Sequence, residues 1–585
     1  MSVDSINLEE HTQTDEQFAS YILEQWLEHD SAREGVKTRW SEIEAYKYAT
    51  DTNNSAMGVN AFDHSTHVPV LSSIAQDLEA IMAQTTTPHE DWFDFSPAVR
   101  ESANKASKQK VKAYIKNRHK VDSFMEIKRK LDSDYVTYGN CFAMVEFVDE
   151  TTDDKVGYIG PRVVRISPYD IVFNPTATSF ERTPKIIRSV IEIGKLAEWR
   201  DKGLGDTSVI EQILEDRSGN ATKRMTQHEK NQQYYPQGFN NYDSYHASGF
   251  LEVLWFYGDM YDPEKKQILK SRRMASIDGK YLIFNDVIDT PTGKPFIYKA
   301  GFMDLPDNLW SMGPLDNIVG LNYQINHREN AKNDALDKLI NPDLVKIGDV
   351  EEVYDEDTGK IEYLAPEGGG VQELAINTQF FQFGLEVDRL EDTARKAARL
   401  PADIVGFRTP GEKTFGEVSA LTEGAMRGFI HKAQSYERFL EKILEAELVI
   451  SASNLSAALQ VPGQVENGVI EFLQITKKDL QVTGSLVARG AQRFARKNQV
   501  LSTLTQLSAT PLLQVAAQHI SGKALALLVE ELAELDGTGV FEEFAAISEQ
   551  TEAQMVAQQA EQVAAMQTAQ PTIQEEMVNQ ELDQG

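Results

Sequence analysis

Asp63, His64 and His67 place three potential metal ligands within the five residues DHSTH. A His-x-x-His pair on a loop holds a catalytic zinc only with a third ligand and supporting hydrogen bonds behind it. The expectation is therefore a polar turn ahead of a helix that starts at Pro69, and no metal centre. The run Gly406-Phe-Arg-Thr-Pro-Gly411-Glu412-Lys413-Thr414 approaches a phosphate-binding loop. Glu412, however, separates the second glycine from the lysine, and a helix precedes the run where such a loop needs a strand. It reads as a loop and not as a nucleotide site.

Cys141 lies in an apolar strand pattern, no partner set surrounds it, and the chain has no Gly-x-Ser-x-Gly elbow. Glu351, Glu352, Asp355, Glu356 and Asp357 match a calcium loop in charge alone, without the alternating ligand spacing or the glycine at its bend. His327 and Glu329 sit on an asparagine-rich helix, where buried polar contacts between subunits explain them as well as catalysis does. Lys105, Lys108, Lys112, Lys116 and Lys120 form a stripe that would suit phosphates, although a solvated helix face is the plainer reading. Nothing here makes an enzyme, and no cofactor or metal is expected.

The elements that carry these residues follow from periodicity. Phe18, Ile22, Trp26, Trp40, Ile43 and Tyr46 predict helix over 15–49, and Leu71, Ile74, Leu78 and Ile81 predict another after Pro69. A further helix covers 100–131. Between Cys141 and Phe302 the pattern turns to strands, in CFAMVEFV, PRVVRISPYDIVF, KIIRSVIEI, FLEVLWFYG and KYLIF. The polar, aromatic-containing stretch 216–249 interrupts them as an arm or a flexible insertion.

Residues 312–340 return to helix, but Asn317, Asn322, Asn326, Asn330 and Asn333 break its apolar set. A helix that polar is expected to lean on other subunits. A small insert follows over 342–377, with strand-like DLVKIG and KIEYLAP around the acidic turn EEVYDEDTGK. A return helix covers 378–399, and a loop with two prolines and two glycines covers 401–414. The longest helical pattern runs from Phe415 towards Leu459, with Gly424 and Gly428 as a candidate kink. From Ala524 onward there are acids and no Lys or Arg, and 550–574 is rich in Gln and Ala. The fold class expected is α+β, mainly helical.

Composition sets the outer limits. Of 585 residues, 58 are Lys or Arg and 90 are Asp or Glu, a net charge of −32. That sign argues against a protein that grips DNA nonspecifically through a cationic surface, though not against one that DNA must pass without sticking. A single cysteine excludes a disulfide framework and any multi-cysteine metal site. The opening MSVDSINLEE leads to no expectation of a secretory signal, and apolar runs such as 524–529 are too short for a membrane span.

The order of parts resembles that of the portal, or head-to-tail connector, proteins of tailed bacteriophages: wing, stem, clip, stem, tunnel loop, spine helix, crown. Arg39-Trp40 with Glu42 and Tyr46 is similar to the family's early helix. Ile166-Ser-Pro168-Tyr-Asp170-Ile-Val-Phe-Asn174-Pro175 resembles its strand with a proline-bounded turn. Gly313-Pro314-Leu315 with Asn322 resembles the first stem helix, and Thr414-Phe-Gly-Glu417-Val418 the start of the spine helix. Val482-Thr-Gly484 followed by Ala488, Arg489 and Gln499 resembles the run into the crown. The chain departs by having Phe-Gly where the spine motif often has Ala, and neither 216–249 nor the tail has a counterpart.

The resemblance implies a wing over 1–311, a first stem helix over 312–341, a clip over 342–377 and a second stem helix over 378–400. It further implies a tunnel loop over 401–414, a spine helix and return over 415–499, a crown over 500–550 and an acidic tail over 551–585. The function implied is a closed ring of about twelve copies at one capsid vertex of the virion, made in the host cytoplasm. Double-stranded DNA would pass through it, unread for sequence, during packaging and ejection. The partners implied are the terminase large subunit, capsid and scaffolding proteins, and later the head–tail adaptor and tail proteins, with the chain's own tail and length leaning towards a short-tailed phage; no membrane partner is expected.

Phe407, Arg408, Thr409, Glu412 and Lys413 would face the DNA from the tunnel loop. Glu351, Glu352, Asp355, Glu356 and Asp357 would face the terminase from the clip. Asn322, Asn326, Asn330, Arg389 and Arg395 would join neighbouring stems. The competing expectations are a different ring component of the virion neck, a nucleic-acid-binding module that uses the 105–130 lysine stripe and, as the outlier, a hydrolase that uses Asp63, His64 and His67.

Overall fold

A computed structural model of the chain describes residues 3–48, 63–64, 66–88, 92–97, 105–150, 157–217, 250–262, 265–355, 360–364, 370–373, 383–398, 415–455, 459–466, 469–481 and 484–490. The expectations for the 218–249 part of the insertion, for 401–414 and for everything beyond 490 lie outside these residues. The described chain is a mixture of α and β. None of its helices is long and apolar enough to cross a membrane.

A five-stranded antiparallel meander runs in order through 171–173, 185–192, 250–262, 267–277 and 281–287. Its period-two alternation divides the apolar residues between two faces. Leu254 and Phe256 meet Phe18, Ile22 and Trp26 of the helix Val3–Ala32. Leu251 and Val253 meet Leu196, Ile210 and Ile213 of the helices 193–201 and 207–217. Those two helices were absent from the sequence expectation. The helix expected over 15–49 is two, broken at Arg33, whose guanidinium donates to the carbonyls of Pro168 (2.6 Å), Tyr169 (2.6 Å) and Ile171 (2.9 Å). That single side chain seats the proline-bounded turn 167–171.

The main core forms around the helix Phe415–Asn454. Phe429, Ala433, Tyr436, Leu440, Ile443 and Leu444 are buried at the spacing of three or four expected of a core-facing stripe. They pack with Leu131 and Tyr135 of the helix Phe124–Thr137 and with the three-stranded sheet 159–166, 140–149, 297–301. Forty residues at 1.5 Å each give the long helix a length of about 60 Å. It runs unbroken past Gly424 and Gly428.

The strand 93–97 pairs with 484–488, Phe93 opposite Ala488, so that late residues complete an early edge. The helix expected over 100–131 is Lys105–Val121 followed by Phe124–Thr137, parted at Ser123, whose φ is 53°. A second unit comprises 463–471 and 495–585, and only its strand residues 463–466 and 469–471 are described.

Candidate functional site

Two helices and the strands between them occupy the region where the sequence concentrates its unusual residues. The helix Val319–Ile340 follows the strand 308–312 and a single 3-10 turn at 315–317. The helix Phe383–Ala397 packs against it, burying Val387 and Ala394, and Arg328 Nη1 lies 2.6 Å from Glu386 Oε2. Arg395 Nη1 lies 3.7 Å from Asp77 Oδ2 of the helix Val70–Thr86, while Arg389 is exposed.

Between the two helices, Leu344–Ile347 pairs with Gly370–Glu373, and Glu351–Asp355 pairs with Lys360–Leu364, both antiparallel. Lys346 Nζ reaches Glu352 Oε1 at 2.6 Å and ties one ladder to the other. Leu344, Val345, Ile347, Val353, Tyr354, Ile361 and Tyr363 are all exposed. The acidic turn expected at 351–357 is therefore a strand over 351–355, because Val353 and Tyr354 favour the extended chain and pair with Glu362 and Ile361. Glu351 and Glu352 are exposed on it, Asp355 ends it, and Glu356 and Asp357 lie outside the described residues.

Asn322, Asn326 and Asn330 are buried on one face of the 319–340 helix, at the four-residue spacing that aligns side chains. Asn322 Oδ1 accepts the Leu71 N–H at 3.0 Å, Asn326 Oδ1 the Val68 N–H at 3.0 Å, and Asn330 Oδ1 the Thr66 N–H at 2.7 Å. Asp334, four residues on, accepts the N–H groups of Asp63 (3.1 Å) and His64 (3.0 Å). Four rungs thus hold a strap, made of Asp63, His64, Thr66, Val68 and the first turn of the Val70–Thr86 helix, along the 319–340 helix. The side-chain oxygens of these asparagines take their donors from within the chain. The Leu71 N–H is buried, and leaving it unpaired would cost about 1–3 kcal/mol.

The same arrangement gives both histidines of DHSTH partners within the chain. His64 lies between Asp334 and Asp337, and the Nδ1 of His67 lies 3.2 Å from Asn326 Nδ2. Burial holds His67 below the usual imidazole range, with a backbone hydrogen bond at Tyr46 opposing it. Among the described residues no three His, Cys, Asp or Glu side chains converge as metal ligands. Glu329 pairs with Lys332 at 2.7 Å, and the His327 ring lies 6.2 Å from that of Tyr323. Cys141 is fully buried, and desolvation pushes its thiol well above its ordinary value, the wrong direction for a nucleophile.

The lysine stripe is partly spent inside the chain. Lys112 lies 3.9 Å from Asp94, and Lys110, beside the stripe, lies 2.8 Å from Asp479. A groove between the long helix and the turn at 477–481 is lined by Leu448, Ala452, Ser453, Lys477 and Leu480. Asp334 is the residue that sequence reasoning missed. Its signal was present, as the next step of the 322, 326, 330 series. Phe407, Arg408, Thr409, Glu412 and Lys413 lie outside the described residues. No protein-family model matches the chain, and no curated protein is similar to it at a significant level.

Proposed function

We propose that this chain is the repeating subunit of a viral portal ring, a conduit for double-stranded DNA at one capsid vertex. The observation that carries the reading is the succession of a helix over 319–340, exposed paired strands over 344–373, a return helix over 383–397 and a 40-residue helix over 415–454. In that reading the two paired helices are the stem, the strands are the clip, and the long helix is the spine that roots the stem in the wing. The subunit repeats about twelve times in a closed ring.

The charge of the chain suits the role. A bore lined by acids repels phosphates, so that a duplex slides, while a few cations touch the backbone in passing. Arg408 and Lys413 of the 401–414 loop are the cations assigned to those contacts. The exposed acids Glu351 and Glu352 are assigned to docking of the terminase, and after packaging of the adaptor. A net charge of −32 per subunit requires that ring interfaces offset strong mutual repulsion, which favours assembly at moderate salt. A module that binds DNA through the lysine stripe is the weaker reading, since Lys112 already faces a carboxylate of the chain itself.

The test is the particle mass of the purified chain at moderate salt, with negative-stain images of the same sample. Particles near twelve times 65.6 kDa with a central hole are expected. A monomer that stays monomeric with scaffolding protein present, and binds linear DNA in a salt-dependent way, would overturn the reading.

A further inference from the structure

The last rung of the strap depends on a proton. His64 Nδ1 lies 2.8 Å from Asp334 Oδ1, and His64 Nε2 lies 3.2 Å from Asp337 Oδ2. A neutral imidazole has one N–H, so between two carboxylates it donates to one and turns a lone pair on the other. Only the imidazolium donates to both. The Asp334 carboxylate that receives the ring also receives the Asp63 and His64 backbone N–H groups. The ring and the strap backbone are thus fastened at the same point.

The surrounding charges act in one direction. Asp334 and Asp337 face His64 from the helix and Asp63 from the strap, and the Asp334 hydrogen bond is the largest of the effects that raise its pKa, against some desolvation. Burial opposes the ionisation of Asp334, but the hydrogen bonds from His64 and from the two backbone amides hold its carboxyl below the usual range. Further along, the acceptors are the amide oxygens of Asn330, Asn326 and Asn322, which do not titrate. His67, beside Asn326, is held down by burial and stays neutral on the alkaline side.

We propose that Asp63 and His64 form a proton-operated latch on the 319–340 helix, seated while the His64 imidazolium bridges Asp334 and Asp337. When the ring is neutral this end lifts, while Thr66 to Leu71 stay held by the asparagines. The sign follows from linkage. His64 gains its partners only when seated, so the seated pKa lies above the free one. The added stability is present below the free pKa of about 6.5 and is lost as pH rises through the seated value. The latch stands whether or not the chain forms a portal ring.

Hydrogen–deuterium exchange of the full chain at pH 5.5 and 8.5, corrected for the intrinsic pH dependence of exchange, reads this directly. Protection of the Asp63 and His64 amides is expected to fall several-fold at the higher pH, while that of Thr66, Val68 and Leu71 holds. His64→Gln is expected to abolish the step. Asp337→Asn leaves one ionised carboxylate, which a single neutral N–H can serve, and is expected to shrink the step with 68–71 still protected. Equal corrected protection of Asp63 and His64 at both pH values overturns the latch, and so does a wild-type step in His64→Gln or in Asp337→Asn.

Discussion

Gly139 and Gly313 pass each other backbone to backbone: a Cβ on Gly139 would lie 2.3 Å from the amide nitrogen of Gly313. The crossing joins two handovers, from the 124–137 helix to the 140–149 strand and from the 308–312 strand to the 319–340 helix. Asn140 locks it, donating to the carbonyls of Tyr138 (2.9 Å) and Ser311 (2.7 Å) and accepting the Ser311 N–H (2.9 Å). Gly139 also holds φ at +67°, so a side chain there meets both strain and overlap. Gly139→Ala is expected to cost about 3 kcal/mol or more, read as a lower urea midpoint. An unchanged midpoint would mean that the two chains do not cross this closely.

The asparagine ladder predicts a different signature. Asn326→Ala removes the acceptor of the partly buried Val68 N–H, at about 1 kcal/mol. Asn326→Asp keeps an oxygen at the rung and is expected to cost less than alanine at pH 7. Faster hydrogen exchange around Val68 in the alanine variant, with the 140–149 strand unaffected, is the local reading that checks it.

Where the sequence was readable, periodic apolar residues did the work. The stripes through Phe18, Ile22 and Trp26, and through Tyr436, Leu440 and Leu444, fall on helices that bury those residues. What it hid were partners without a side-chain signature. The asparagines could be seen to need donors, but those donors are backbone N–H groups more than 250 residues away, and any residue type supplies them. The pairing of 93–97 with 484–488 was hidden for the same reason, since ladder bonds do not depend on side-chain identity. At 351–355 the charges drew attention to a turn, while the β-favouring pair Val353 and Tyr354 carried the strand.

The exposed strands between the paired helices invite a charge test. Glu351 has no burial to lose, and the Glu352 pairing with Lys346 is a surface ion pair worth about 1 kcal/mol or less. Glu351→Lys with Glu352→Lys is thus expected to leave folding and ring formation intact. Pull-down of the terminase large subunit is expected to weaken, and undiminished capture would remove these acids from the docking surface.

Arg408→Ala with Lys413→Ala tests the cations assigned to the DNA path. On the proposed portal reading, rings are expected to assemble normally but to package DNA more slowly, because the duplex would lose the transient phosphate contacts assigned to these cations. Wild-type packaging by assembled rings would sink the contact and leave both residues to pair with acids of neighbouring loops.

The pH dependence of stability follows from Glu44, a carboxyl with no exposure that sits among Trp40, Tyr138 and Tyr169. The hydroxyls of Tyr138 and Tyr169 donate to it, the latter at 3.3 Å. Lys47, one turn on, spends its ammonium on Glu79 (2.8 Å), Ser133 (3.0 Å) and Thr137 (2.8 Å). Burial therefore dominates, and the Glu44 pKa is pushed up to about 7 from 4.5. Burial likewise raises Asp134 to about 6, despite the bidentate Arg165 at 2.6 and 2.7 Å.

Between the unfolded and folded values the native state holds a proton that the unfolded chain releases. Stability is thus full below about pH 4.5 as far as Glu44 is concerned, and falls as pH rises to about 7. At about 1.4 kcal/mol per pKa unit the loss from Glu44 is on the order of 3 kcal/mol. Glu44→Gln keeps the shape and an acceptor for the tyrosines but has no proton to lose. Its urea midpoint is expected to change less between pH 5.5 and 8 than that of the wild type, leaving the smaller share of Asp134. A variant that loses as much stability as the wild type across that range would place the titrating group elsewhere.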